Sequence, residues 1–237
     1  MKTFRTPPSL WLRTAAAVAA VAMPLFGAGT AGAESVSFSG SAAVASDYVY
    51  RGISQTLGRP ALQLGAGAEW GEVSVFFWGS NVDFGDELAD FELDFGVSWG
   101  RDFGEDTALS LSFVRYVYAG DRGADYSEFL AELRLGALTL ILAVAPEFFG
   151  TEVRANYFQL SHDFELPGEL GLTLSAGYNA FDGEAPGTLR NPEFLDLAAT
   201  VSRSFGEFGL DVTLSDTTLE DDRQATTRLV ASIHYAF

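Results

Sequence analysis

The chain has 237 residues, no cysteine, and 32 acidic against 14 basic side chains, for a formal charge of −18. That balance excludes a nucleic-acid binder, whose phosphate contacts need Lys and Arg, and the missing thiols exclude disulfides and thiolate metal sites. With 48% hydrophobic and 14% aromatic residues there is ample surface to bury, so the acidity is not a mark of disorder.

At the N-terminus, Lys2, Arg5 and Arg13 precede an apolar run from about Ala15 to Phe26 that Pro24 interrupts. Ala31-Gly32-Ala33 then supplies the small residues a signal peptidase needs before Glu34. The run is shorter than the roughly 20 apolar residues of a membrane-spanning helix. Residues 1 to 33 are therefore expected to be a cleaved secretory signal, and residues 34 to 237 a single domain. The signal takes three of the 14 basic residues and none of the 32 acids, which leaves 11 − 32 = −21 and no Lys.

From there the pattern is strand, turn, strand, with no helical periodicity and no linker. A first strand is expected over Val36 to Tyr50, then a connection around Gly52 to Pro60, then a second strand to Trp70, where Gly71-Glu72 turns the chain. The third, Val73 to Val82, runs into the acidic loop Asp83 to Glu87, and the fourth covers Ala89 to Trp99. A fifth, Thr107 to Tyr118, and a sixth, Tyr126 to Leu135, flank the loop Ala119 to Asp125. Gly136-Ala137 leads to the seventh, Leu138 to Ala145, which ends at Pro146, where a missing N–H is tolerable. The eighth runs Arg154 to Phe164, the ninth Leu170 to Asn179, and the longest loop follows, Ala180 to Pro192. The tenth is Phe194 to Phe205 and the eleventh Phe208 to about Thr218. The last occupies Ala225 to Phe237, with Leu229, Ala231, Ile233, Tyr235 and Phe237 on one parity and Arg228, Ser232 and His234 on the other.

Twelve strands of about ten residues, with ten or fourteen as the neighbouring counts, make an even-numbered set of the length that crosses a bilayer. Connections after odd strands are longer than those after even strands, the signature of an up-and-down barrel with both termini on its short-turn side. A last strand with no tail needs the first strand as its partner, which closes the barrel. The expected fold is all-β, a transmembrane antiparallel barrel in the outer membrane. A closing strand of a soluble barrel or sandwich is the plainer reading of the same alternation.

Side-chain size decides which face meets lipid. One parity carries Leu62, Leu64, Leu172, Leu174, Leu197 and Val212, and the other Gly65, Gly67, Thr173, Ser175, Thr200 and Thr213. Small polar side chains cannot fill a barrel this wide, so they are expected to line a wet lumen. Aromatics near strand ends suggest two interfacial girdles: Trp70, Trp99, Phe164, Phe205, Phe208 and Tyr235 by the tight turns, and Tyr48, Tyr50, Phe91, Tyr116, Tyr118, Tyr126 and Tyr178 by the long loops.

The run Ser46-Asp47-Tyr48-Val49-Tyr50-Arg51-Gly52-Ile53-Ser54-Gln55-Thr56, with Pro60-Ala61-Leu62-Gln63, Trp78-Gly79-Ser80-Asn81-Val82-Asp83 and Glu92-Leu93-Asp94, resembles the TorF family of outer-membrane porins. The distinctive part covers residues 46 to 96. The resemblance implies a barrel and a pore, and supplies neither a substrate nor functional residues. The ending on Phe237 is similar to the assembly signal of bacterial outer-membrane barrels, which implies the barrel-assembly machinery as a partner, beside lipid and lipopolysaccharide.

Catalytic chemistry finds little support. A barrel lipid hydrolase needs a Ser activated by His on the outer wall near the outer leaflet, and the two histidines, His162 and His234, sit toward the short-turn side. Phosphate loops, HExxH and EF-hand spacings are absent, so no cofactor and no metal is expected. Asp83, Asp86 and Glu87, and Asp216, Glu220, Asp221 and Asp222, read as solvated loop charge. Arg51 is expected at the outer end of the first strand, near Arg228 of the last, pairing with a loop acid.

Lumen parity places Glu69, Glu92, Asp94, Glu128, Glu132, Asp163, Asp196 and Asp211 inward against Arg51, Arg134 and Arg228, with Arg115 ambiguous because the fifth strand changes its pattern near Val114. The expected function is passive diffusion of small hydrophilic solutes with a cation preference. Its candidate pore-lining residues are Asp94, Glu132, Asp211, Glu92, Glu128, Arg51 and Arg228. The second reading is a plugged, non-conducting barrel with a structural or surface role, the loop Ala180 to Pro192 being long enough to fold inward.

Overall fold

The computed structural model describes residues 35–85, 89–183, 191–219 and 224–237. The expected signal segment, residues 1 to 33, lies outside the described residues.

Period-two alternation gives strands, and antiparallel pairing of neighbours closes them into one barrel of twelve. In chain order these are β1 (Ser37–Ala45), β4 (Ala61–Trp70), β5 (Val73–Asn81), β6 (Phe91–Asp102), β7 (Thr107–Ala119), β8 (Tyr126–Leu135), β9 (Leu138–Ala145), β10 (Ala155–Leu166), β11 (Leu170–Phe181), β12 (Glu193–Phe205), β13 (Phe208–Thr217) and β14 (Arg228–Ala236). Two short strands, β2 (Val49–Tyr50) and β3 (Ile53–Ser54), pair with each other and stand outside the barrel sheet. The last strand finds the first, with Ala42 opposite Tyr235 and Val44 opposite Ile233. Gly40 and Phe237 extend the ladder by exchanging both backbone hydrogen bonds, at 2.9 and 3.0 Å. The barrel sheet has no open edge among the described residues, and the aromatic Phe237 is part of its seam.

Strand β13 shows how the two faces divide: Phe208, Leu210, Val212 and Leu214 are exposed while Gly209, Asp211, Thr213 and Ser215 are buried. Around the barrel, Leu62, Leu64, Phe95, Leu142, Leu174, Leu197, Leu229 and Ile233 are likewise exposed. A continuous outer band of large apolar side chains has a stable environment in hydrocarbon and none in water. At the short-turn end Trp70, Phe164, Phe205 and Phe208 face outward. Girdle residues there anchor to turn acids: Trp99 Nε1 donates to Glu72 Oε2 at 2.9 Å and the Tyr235 hydroxyl to Glu207 Oε2 at 3.0 Å.

Three expectations are corrected. The first strand stops at Ala45, because the chain leaves the wall after Ser46, whose N–H still donates to Ala231 of β14, and turns into the barrel. At the long-loop end only Phe91 and Tyr178 of the expected girdle are exposed; Tyr48, Tyr50, Tyr116, Tyr118 and Tyr126 are buried inside. Strand β7 does not change parity. Ala108, Ser110, Ser112, Val114, Tyr116 and Tyr118 all share the inner face, and Arg115 points outward to Asp125 and Ser127. The apparent switch arose because the inner face itself becomes aromatic toward the loops.

Candidate functional site: a hairpin inside the barrel

The inward turn begins with Asp47. Its Oδ1 accepts hydrogen bonds from Ser54 Oγ at 2.6 Å and Thr56 Oγ1 at 2.8 Å, and its Oδ2 lies 3.0 Å from Arg228 of β14. These contacts fold residues 46 to 56 back on themselves, and the two-residue turn Arg51-Gly52 has positive φ at both positions, 48° and 79°. A Cβ on Gly52 would meet Thr217 at 2.9 Å and Asp196 at 3.0 Å, so the tip lies against the wall where only glycine fits. Backbone bonds moor the hairpin elsewhere: Ser54 N to Gln224 O at 2.8 Å, and Asp83 N to Gln55 O at 2.7 Å.

Arg51 is the centre of the contact with the barrel. Its guanidinium reaches both oxygens of Glu128 on β8, at 2.9 and 3.0 Å, and lies over the rings of Tyr157 (3.9 Å) and Tyr50 (4.7 Å). A two-oxygen contact with a carboxylate is among the stronger charged pairs, and here it holds a non-glycine residue in left-handed backbone. The Tyr116 hydroxyl also donates to Glu128, at 3.2 Å. Burial is the largest influence on Arg51 and opposes its charge, but Glu128 joined by Tyr50, Tyr157 and Tyr116 more than offsets it, so the guanidinium stays protonated. Burial likewise pushes the Tyr48 phenol well above its ordinary value, so the hydroxyl stays neutral.

The expected pairing of Arg51 with a loop acid is therefore replaced by a wall acid. Arg51 and Arg228 take separate partners, Arg51 pairing with Glu128 and Arg228 with Asp47. Beyond the hairpin toward the long loops, Tyr118, Tyr126, Phe84, Phe148, Phe149, Phe181 and Phe194 form a chain of stacked, tilted and T-shaped contacts at 5.0 to 6.5 Å. Sequence reasoning missed this layer; its signal was aromatic residues on the parity that elsewhere carries Gly, Ser and Thr.

The other inward acids distribute along the axis. Glu92 and Asp94 are buried on β6, and Asp196 on β12 accepts from Asn179 at 2.9 Å and Tyr157 at 3.3 Å. Glu132 and Glu69 are half-buried, and Asp163 is exposed at the short-turn mouth. There Asp211 Oδ2 faces His234 Nδ1 at 3.0 Å, while His162 is on the outer face beside Phe164. Asp86, Glu87 and the run 220–222 lie outside the described residues, as does most of the loop Ala180 to Pro192. Among the described residues, the hairpin of residues 46 to 56 enters the lumen.

A closed antiparallel twelve-stranded barrel with an apolar outer band is the fold of outer-membrane channels. The structure of the NanC porin matches it with a TM-score of 0.57 over 85% of this chain and 99% of that one, at 6% identity. A chain solved in work on the in-meso crystallisation of membrane proteins matches with a TM-score of 0.50, 11% identity, and coverage of 84% and 83%. An outer membrane channel from Pseudomonas putida F1 matches at 0.46, 11% identity, covering 88% and 98%. No curated protein matches the sequence. The chain belongs to the family described as "Bacterial protein of unknown function (Gcw_chp)", whose model matches residues 29 to 235.

Proposed function

We propose that this protein is an outer-membrane channel for passive diffusion of small hydrophilic solutes, exported by a signal cleaved near Ala33, with its conducting path controlled by the hairpin of residues 46 to 56. The observation that carries the reading is a lumen faced by small polar residues, Ser98, Thr200, Ser202 and Thr213, inside an apolar wall. The TorF resemblance supports it and gains a physical content, since the motif residues Ser46 to Thr56 are the ones that enter the lumen. Inward acids favour cations: Glu69, Glu92, Asp94, Glu128, Glu132 and Asp211 face Arg51, Arg134 and Arg228. Screening within about 10 Å at 0.1 M salt lets their sum matter more than any one of them. The barrel-assembly machinery reads the strand ending in Phe237, and the loops meet lipopolysaccharide.

The test is conductance of the refolded protein in a planar bilayer under a salt gradient. The expected result is a small conductance with cation-preferring reversal potential, a lower preference in the Asp94→Asn, Glu132→Gln double variant, and a several-fold larger conductance when residues 48 to 55 are replaced by a short Gly-Ser linker. The hairpin itself favours a second reading, a plugged barrel with a structural or surface role. Silence of both the protein and its hairpin-replaced variant supports that reading instead.

A further inference from the structure

Three acids face the hairpin from the wall formed by β6, β7 and β8, and they are unequally served. Glu128 gives both oxygens to Arg51 and also accepts from Tyr116. Glu92 accepts from the Tyr118 hydroxyl at 2.8 Å through Oε1, while its Oε2 has no hydrogen-bond partner. Asp94, 0% exposed, has none at either oxygen, and the buried Tyr126 hydroxyl has none either. The strand register sets these groups side by side: Glu92 is opposite Tyr118, Asp94 opposite Tyr116, and Tyr116 opposite Tyr126.

Buried polar atoms in folded proteins are almost always satisfied, and a buried carboxylate without a counter-charge is strongly disfavoured. Arg51 supplies one positive charge, and Glu128 takes it in the two-oxygen contact. What surrounds Asp94 is aromatic: the Tyr116 and Tyr126 rings stack at 4.4 Å, and Tyr48 packs on Trp78, whose register partner is Asp94. Carboxylate oxygens beside electron-rich ring faces are the chemistry that recognises an ammonium group. The protein already uses it once, where the Arg51 guanidinium lies over Tyr157 and Tyr50. A bare divalent ion fits less well. Such ions take six or more oxygens, and among the described residues no three Asp, Glu or His side chains converge as metal ligands.

We infer that the β6–β8 wall around Asp94, Glu92 and the Tyr126 hydroxyl is a subsite for a small organic cation of the primary-ammonium class. Asp94 and Glu92 Oε2 accept its N–H groups, and the surrounding aromatic side chains cover its carbon skeleton. The inference rests on the channel reading for delivery of the cation, and names the solute class that reading leaves open.

The experiment is isothermal titration of 1,4-diaminobutane into the refolded barrel in detergent at low ionic strength, with NaCl and MgCl2 at matched ionic strength as references. Saturable diamine binding is expected, weakened at least tenfold by Asp94→Asn and by Glu92→Gln, and unchanged by Asp163→Asn at the opposite mouth. Heat-modifiable mobility on gels reports folding of each variant, and Glu92→Gln carries the comparison if Asp94→Asn does not fold. Absence of saturable binding to the unaltered protein overturns the inference, as does binding indifferent to both substitutions. Equal saturable binding of Mg2+ overturns the organic assignment. No diamine binding, with a thermal stability of the unaltered protein that rises as pH is lowered toward the carboxylate range and does so less in Asp94→Asn, shows instead a carboxyl kept neutral by its own proton. Conductance separates the two claims: a barrel that binds diamine but is silent keeps the subsite and loses the channel, and a conducting barrel blind to diamine does the reverse.

Discussion

The two halves of the barrel share the same strands and the same outer surface but hold different interiors. Along β7 the inner face reads Ala108, Ser110 and Ser112 near the tight turns, then Val114, Tyr116 and Tyr118 toward the long loops. Near the turns the lumen is faced by residues such as Thr200 and Thr213, which share a hydrogen bond at 2.9 Å across β12 and β13. Toward the loops it is filled by the hairpin, its Arg51–Glu128 pair and the aromatic layer. The difference teaches that a lipid-facing barrel constrains only its outward parity. What the inward parity carries is free to differ from one depth to another, so the interior can be small and polar at one end and aromatic at the other.

If the loop half is packed like a core, breaking its buried ion pair is the largest single loss available there. Arg51→Ala strands Glu128 without a counter-charge, and the expected cost is about 3–5 kcal/mol in urea unfolding of the refolded barrel, since an unpaired buried charge is left behind. Arg51→Met combined with Glu128→Leu should regain most of it. Hydrogen exchange should rise in residues 46 to 56 of Arg51→Ala and stay low in β12 and β13; a uniform rise would show that the halves are not separable.

Gly52→Ala is expected to have the next effect. It places a side chain at φ 79° and against Thr217 and Asp196, costing about 1–2 kcal/mol for the backbone alone. The measurement that sharpens the contrast is Tyr and Trp near-ultraviolet dichroism, which should change as Tyr48 leaves Trp78 while far-ultraviolet strand signal persists.

The smallest effect belongs to the short-turn half. Thr213→Val removes the bond with Thr200 at nearly constant volume, and a single neutral hydrogen bond is worth about 1 kcal/mol. A melting shift as large as that of Arg51→Ala would break the comparison, because it would mean that this half is packed as tightly as the other.

Much of the wall was legible in the chain itself. The strand Leu138–Ala145 was readable residue for residue, as were the turns after Trp70, Leu135 and Phe205, and the closure of the last strand on the first. The inward placement of Glu92, Asp94, Glu128 and Asp211 followed from parity alone. These features depend on local period and side-chain size, and lipid outside the barrel enforces both at every outward position.

The interior was not legible to the same degree. Val49 and Tyr50 are strand residues as their alternation implies, yet their partner is Ile53–Ser54 and not the barrel wall. Arg51 is charged and polar on any reading, but its partner lies 77 residues away on β8. Tyr116, Tyr118 and Tyr126 have the composition of an interfacial girdle and the address of a core. The sequence by itself determined a closed barrel with its apolar face outward, because a period of two and residue size are properties of neighbours along the chain. Only the tertiary structure decided what fills that barrel, because which segment folds inward, and which wall acid meets its arginine, depends on strands brought together by closure.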